Sequence, residues 1–156
     1  MKKVLVFMLV ILMLPLVLIG CIRVLRISGM VHASLLKQQI FRFVYENEDE
    51  LTAIAEGQLA GTNQDKNFGK AEIDGVFDGE QPIVQFYWGG MGIAPSSREF
   101  GFYYAPDDEP VKFQNEQDGG ILYSEENGEW RFSDSGGNTG KMIRILPNWF
   151  YYDIVY

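Results

Sequence analysis

The stretch PNWFYYDIVY, residues 147–156, carries aromatic and aliphatic side chains at nearly every position after an opening Pro-Asn turn signal. Successive side chains of an extended strand point to opposite faces of a sheet. One face of this strand would therefore present Trp149, Tyr151, Asp153 and Val155, and the other Phe150, Tyr152, Ile154 and Tyr156. A single covering helix cannot bury both faces, so this strand decides how the rest of the domain must be built.

The apolar excess on this strand has two possible explanations. Either loops of a small domain pack against it, or some of it is exposed as a recognition surface, because large exposed aromatic patches are typical of binding sites. The candidates for such a surface are Trp88, Trp130, Trp149 and Tyr151.

Short strand patterns separated by turn signals fill the chain beyond residue 70. Dipeptides such as Asp78-Gly79 and Asn127-Gly128 are typical of tight hairpin turns. No helical pattern intervenes that would make parallel crossovers, so the pairing is expected to be antiparallel. The candidate strands are Ile73–Phe77, Ile83–Trp88, Phe100–Tyr104, Val111–Phe113, Ile121–Tyr123, Trp130–Phe132, Lys141–Leu146 and Trp149–Tyr156.

A helical pattern precedes the strands. Apolar residues recur at intervals of three and four from Ser34 to about Gln58, and charged residues lie largely on other faces. We expect one long amphipathic helix that covers a sheet. A stalk that pairs with another membrane protein would need a longer heptad seam. The predicted fold class is α+β: an N-terminal membrane helix, one long amphipathic helix, then an antiparallel meander of about five to seven short strands.

An apolar run without a charged residue extends from Val4 to Ile22. At 1.5 Å per residue, a helix of this length spans roughly 28 Å, enough to cross the hydrocarbon core of a membrane. The run has no polar stripe, unlike a helix that covers a soluble core. The predicted organisation is an anchor or signal segment at 1–22, a juxtamembrane and amphipathic helix at 23–58, and a β region at 59–156 that packs on that helix.

Leu18-Ile19-Gly20-Cys21, after a short basic tail and an apolar stretch, resembles the signal peptide and lipobox of bacterial lipoproteins. The resemblance implies that Cys21 is acylated and becomes a new N-terminus. The apolar, basic continuation argues against cleavage, because Arg23 and Arg26 suit a helix face at the lipid headgroups better than an exported tether. An uncleaved single-pass anchor is therefore favoured, and lipid attachment through Cys21 is the alternative.

Charge is divided sharply along the chain. Residues 1–43 contain six basic and no acidic residues, whereas residues 44–156 contain seven basic and all 21 acidic residues, for formal charges of +6 and −14. An acidic domain repels phosphate backbones, which excludes nucleic acid as a partner. The two lysines before the apolar run favour an extracytoplasmic position for the acidic domain.

The segment WGGMGIAPSSREFGFYYAPDDEP, residues 88–110, is similar to a segment of small membrane-anchored bacterial proteins of uncharacterised function. The resemblance implies an anchor, a helix and an aromatic-rich β region, and it implies no activity. The glycines of this segment do not form a nucleotide-binding fingerprint, since Pro95 replaces the third glycine and no helix pattern follows. They are expected to form a structural hairpin loop.

Catalytic and metal-binding signatures are few. The sole histidine, His32, is remote in sequence from Ser96 and Ser97, so a serine triad lacks a base. The acidic turn at residues 107–110 and an EF-hand-like alignment over residues 114–125 offer oxygen ligands, but they are interpreted as solvated turns. No metal, cofactor or catalytic residue is predicted.

We therefore expect a non-catalytic, membrane-tethered interaction protein of the bacterial cell envelope that binds a protein or envelope partner. One alternative is a small envelope hydrolase that uses paired carboxylates. Another is an accessory subunit that acts through its transmembrane helix.

Overall fold

A computed structural model describes residues 30–78, 81–93, 96–111, 121–124, 128–133 and 136–156. The chain divides into two compact units, Met1–Leu36 and Lys37–Tyr156. The described part of the first unit, residues 30–36, is helical. None of the described helices is long and apolar enough to cross a membrane. The predicted anchor, residues 1–22, lies outside the described residues.

Two helices occupy the region where the sequence predicted one. Helix α1 covers residues 30–46 and helix α2 covers Glu48–Leu59. The break is at Asn47, whose side-chain amide donates a hydrogen bond of 2.7 Å to the Phe43 carbonyl and whose φ of −129° is not helical. Asparagine side chains compete for backbone groups in this way. The prediction of one long helix was wrong because apolar spacing continues through a break that a local hydrogen bond creates.

The sheet is antiparallel throughout, so the predicted α+β class is confirmed. Its strands are β1 (Asn67–Phe68), β2 (Ala71–Phe77), β3 (Ile83–Ile93), β4 (Ser96–Tyr104), β5 (Ile121–Ser124), β6 (Glu129–Ser133), β7 (Thr139–Leu146) and β8 (Trp149–Val155). The strand order is β1-β2-β3-β4-β8-β7-β6-β5. Strand β4 thus pairs with β8 rather than β5, and two four-stranded meanders replace the single meander that the sequence predicted.

One predicted strand, Val111–Phe113, is described at its first residue only. Val111 lies in the irregular segment after β4, and residues 112–113 lie outside the described residues. The two-residue strand β1, which sequence reasoning missed, pairs with the start of β2.

The pairing of β4 with β8 needs a glycine at its centre. Gly101 lies directly opposite Tyr152, and the Tyr152 ring covers it. A Cβ atom at position 101 would overlap both this ring and the carbonyl oxygen of Phe86 on β3. Gly140 on β7 has the same relation to the ring of Phe132 on β6. Aromatic rings therefore lie flat over two glycines on the same face of the sheet.

The helices cover the other face of the sheet. Phe43 of α1 contacts Trp88 and Phe102, with ring centroids 4.9 and 6.0 Å apart, and Phe41 contacts Tyr151 at 6.0 Å. Helix α2 adds Leu51 and Ala55, both fully buried. The apolar side chains that alternate along β3, β4 and β8 thus pack against the apolar sides of both helices.

The face opposite the helices has its own core. Tyr103 and Phe150 stack at 5.2 Å, and Phe132, Met142, Tyr152 and Ile154 join them. Ala105 and Val111, from the segment after β4, belong to the same cluster, and the Val111 amide donates to the Tyr103 hydroxyl at 3.2 Å. A loop therefore contributes to burying the second face of β8.

Asp108 holds this loop against the turn between β7 and β8. Its carboxylate accepts a hydrogen bond of 2.7 Å from the backbone amide of Asn148 and pairs with the Arg144 guanidinium at 3.0 Å. Both Asp108 and Asn148 have positive φ angles, 57° and 67°, which aspartate and asparagine tolerate better than most residues.

We expect Gly101→Ala to destabilise the protein by about 3 kcal/mol, because the added methyl group must displace backbone as well as the Tyr152 ring. Urea unfolding followed by circular dichroism measures this loss. Gly89→Ala is the matched control, since no atom lies within 4 Å of a Cβ at that strand position. Equal stability of the two variants would contradict the close approach between β4 and β8.

Candidate functional site

The aromatic residues predicted as a recognition surface lie mostly in the interior. Trp88, Trp149 and Tyr151 are 8%, 1% and 2% exposed, because they pack between the sheet and the helices. Trp130 is partly buried and contacts the core of the opposite face. These four residues therefore do not form a common solvent-accessible surface. The residues predicted to lie at the membrane, Cys21, Arg23 and Arg26, are outside the described residues.

The loops considered as ligand sites have structural roles where they are described. The glycines at positions 89, 90 and 92 belong to strand β3 rather than to a loop. The acidic turn at residues 107–110 contributes Asp108 to the contact with Arg144. Among the described residues, no group of three or more His, Cys, Asp and Glu side chains is placed to bind a metal ion. Residues 114–120 and 125 of the EF-hand-like stretch lie outside the description.

Carboxylates on the helix-covered face are already paired with bases. Arg98 donates two hydrogen bonds of 2.6 Å to Asp153 across the β4–β8 pairing. Lys141 lies 2.5 Å from Glu129. Burial, and then the charge of Lys141, lower the pKa of the nearby Lys37. Asp153 and Glu129 thus serve as ion-pair partners within the domain.

Carboxylates on the opposite face gather around one tyrosine. Glu72 on β2 lies directly across from Tyr87 on β3, and Gly101 on β4 lies across from Tyr87 on the other side. Directly opposed residues of antiparallel strands share a face. The charges of Glu99, Asp74 and Glu72, in this order after burial, raise the pKa of Tyr87. We call Glu72, Asp74, Tyr87 and Glu99 the acidic face.

Glycine makes room for the tyrosine on this face. A Cβ atom at Gly90 would lie 3.0 Å from the Tyr87 hydroxyl oxygen and 3.7 Å from Cγ of Glu99. The Tyr87 side chain therefore extends along β3 over Gly90 toward Glu99. The three carboxylates that raise the Tyr87 pKa thus lie on the two strands that flank this ring, β2 and β4.

A hydrogen-bond network holds the acidic face in place. Gln85, which is 7% exposed, donates to Asp74 at 3.2 Å and to the Tyr152 hydroxyl at 3.1 Å. The Tyr156 hydroxyl donates to Glu99 at 3.2 Å. These bonds hold two of the three carboxylates in place, which reduces the entropy cost of ordering them when a ligand binds.

A groove lies beside the acidic face, along the outer edge of β2. Its volume is about 420 Å³, and residues 64–66, residues 72–76 and Gln58 line it. Strand β1 pairs only with Ala71 and Glu72, so among the described strands none flanks the remainder of β2 on this side. Val76, which lines the groove, is 41% exposed, and Phe77 at the end of β2 is 52% exposed. The groove thus joins an open strand edge, carboxylates and exposed apolar side chains.

Sequence reasoning found strand β2 but not this site. Alternation in the strand already separates Glu72 and Asp74 from Ile73, which is a visible signal. The approach of Glu99 to these residues depends on β3 lying between β2 and β4. Only the strand pairing brings the three carboxylates together.

No protein family, curated protein or solved structure matches this chain.

Three buried tyrosines make the folding stability depend on pH in the alkaline range. Burial is the largest cause of the raised pKa values of Tyr103, Tyr151 and Tyr152. Because the unfolded chain loses these protons near pH 10 and the folded state retains them, folding stability is fully present below about pH 10 and falls above it.

We expect the free energy of unfolding to fall above about pH 10 with a slope approaching 4 kcal/mol per pH unit, about 1.4 from each tyrosine. Urea titrations at successive pH values measure the slope. Tyr103→Phe removes the hydrogen bond to Val111 and lowers stability at neutral pH by about 1 kcal/mol. It should also reduce the slope above pH 10 by about 1.4 kcal/mol per pH unit, the share of one tyrosine. An unchanged slope would contradict the burial of this hydroxyl.

Proposed function

We propose that this chain is a non-catalytic interaction protein of the bacterial cell envelope, held at the membrane by its N-terminal segment, whose acidic face binds a positively charged protein partner. The observation that carries the proposal is the convergence of Glu72 and Asp74 on β2 with Glu99 on β4 around Tyr87, which lies between them on β3. Such a surface attracts cationic side chains by ion pairing and by contact with the tyrosine ring.

The charge of residues 44–156 supports this choice of partner. Residues 44–156 have a formal charge of −14, so the field around the domain draws a basic partner toward it. The ion pairs on the helix-covered face already neutralise the carboxylates there. The acidic face retains its negative charge for a ligand.

Membrane attachment rests on the uncharged run of residues 4–22. We propose a single-pass anchor with the acidic domain outside the cytoplasm, and lipid attachment through Cys21 is the alternative form of tethering. Both keep the acidic face close to the membrane surface, where an envelope partner can meet it.

Intact-mass measurement of the membrane-extracted protein distinguishes the two forms. An uncleaved anchor gives the mass of the full chain, 17.8 kDa, and Cys21→Ser stays in the membrane fraction. Lipid attachment gives a chain without residues 1–20 plus acyl mass, and Cys21→Ser then loses this processing. Recovery of the unmodified protein from the soluble fraction alone would contradict membrane tethering.

Binding of a cationic probe tests the acidic face. We expect a fluorescently labelled octalysine peptide to bind the full-length protein in neutral detergent, and added salt to weaken this binding because it screens exposed charges. Fluorescence anisotropy measures the affinity. The triple variant Glu72→Gln, Asp74→Asn, Glu99→Gln should bind at least about tenfold more weakly, since it removes three charges while keeping side-chain size.

The matched control removes three charges elsewhere. Glu48→Gln, Asp49→Asn, Glu50→Gln neutralises exposed acids in the first turn of α2 and changes the net charge equally. This control should alter the affinity by less than about twofold. Equal losses in the two triple variants would show that net charge alone attracts the probe and would overturn the assignment of the acidic face.

A further inference from the structure

We infer that the outer edge of strand β2 is the docking site for an extended, basic peptide segment of the partner protein, which adds a strand to the sheet. The inference rests on the proposed function and specifies how the partner binds.

The edge of β2 is available for strand pairing over about half of its length. Strand β1 pairs with Ala71 and Glu72, and the Ile73 amide donates to the Lys66 carbonyl at 2.8 Å. Beyond Ile73, none of the described strands pairs with the outer side of Asp74–Phe77. An unpaired edge presents backbone amides and carbonyls that an extended peptide can pair with.

The groove has the location that an added strand requires. It lies between residues 64–66, which lead into β1, and residues 72–76 of β2. A peptide in this groove would continue the line of β1 alongside β2. At about 3.3 Å per residue, four or five peptide residues span the open part of the edge.

A bulge makes the edge of β2 irregular. The register with β3 shifts between Ile73 and Gly75, and the ring of Phe77 lies close to Gly75. Bulges and irregular edges limit indiscriminate pairing between sheets. A peptide must therefore fit the exposed Val76 and Phe77 as well as the backbone, and this gives apolar positions in the peptide a role.

Charge selects a basic peptide rather than a second copy of this chain. Three acidic residues line the groove: Asp65, Glu72 and Asp74. Lys66 is the only basic residue among the described residues of this lining. Two such edges brought together would place like charges opposite one another, which destabilises strand pairing. Lysine or arginine side chains alternating with apolar residues complement both the carboxylates and the exposed Val76.

Two synthetic peptides test the inference. The probe is an eight-residue peptide of alternating lysine and valine. The comparison peptide has the same side chains, but every second backbone amide is N-methylated. Both carry the same charge, but the methylated peptide cannot donate a full set of backbone hydrogen bonds. We expect the unmodified peptide to bind the full-length protein at least about tenfold more tightly, because main-chain hydrogen bonds supply the affinity of strand addition.

Amide chemical shifts locate the binding, and a pair of variants checks it. The unmodified peptide should shift the amide resonances of residues 74–77. Val76→Lys places a positive charge in the groove and should weaken binding at least about fivefold. Val155→Lys is the control with nearly the same original exposure, 40% against 41%, on a strand paired on both sides, and it should weaken binding less than twofold.

The outcomes separate this inference from the proposed function. If both peptides bind equally and the shifts lie at Tyr87 and Glu99, the acidic face binds cations and strand addition at β2 is overturned. If neither peptide produces shifts at concentrations up to about 1 mM, where even weak specific binding is detected, both proposals fail. Shifts at residues 74–77 that the methylated peptide does not cause support the strand addition.

Discussion

The pairing of β4 with β8 is the constraint on which the rest of this structure depends. It joins two four-stranded meanders that are otherwise separate, and it places β8 between β4 and β7. All residues of β8 except Val155 are buried, so its side chains are covered on both faces of the sheet. Phe41 of α1 covers Tyr151 on one face, and the loop containing Val111 contributes on the other. Gly101 lets the Tyr152 ring lie against the neighbouring strand, and Arg98 bonds to Asp153 across the same pairing.

This central pairing also determines where the sheet ends. Because β4 and β8 occupy the middle, the edges of the described sheet are β1 and β5, and the very short β1 leaves most of β2 uncovered. Open edges are usually shortened, covered or charged in natural proteins. Here Glu72 and Asp74 supply charge, whereas the exposed Val76 and Phe77 add apolar surface.

The two faces of the sheet use their carboxylates differently. On the helix-covered face, Asp153 and Glu129 are each held by a base, so their charge contributes to the structure of the domain. On the acidic face, Gln85 orients Asp74 and Tyr156 orients Glu99 through neutral hydrogen bonds that leave the negative charge in place. Such uncharged hydrogen-bond donors fix the positions of the carboxylates without neutralising their charge. The arrangement suits recognition of cations by a preorganised surface.

The sequence by itself determined the α+β class, the antiparallel strands and nearly all of their positions, because alternation and turn dipeptides are local signals. It also determined the division of charge between the first 43 residues and the remainder. Tertiary structure alone decided that Trp149 and Tyr151 are buried, since the choice between loop cover and exposure depends on what packs over β8. It also decided the break at Asn47, the β4–β8 pairing and the approach of Glu99 to Glu72 and Asp74. These features join residues through side-chain hydrogen bonds and strand order, and periodicity along the chain carries no information about which strands become neighbours.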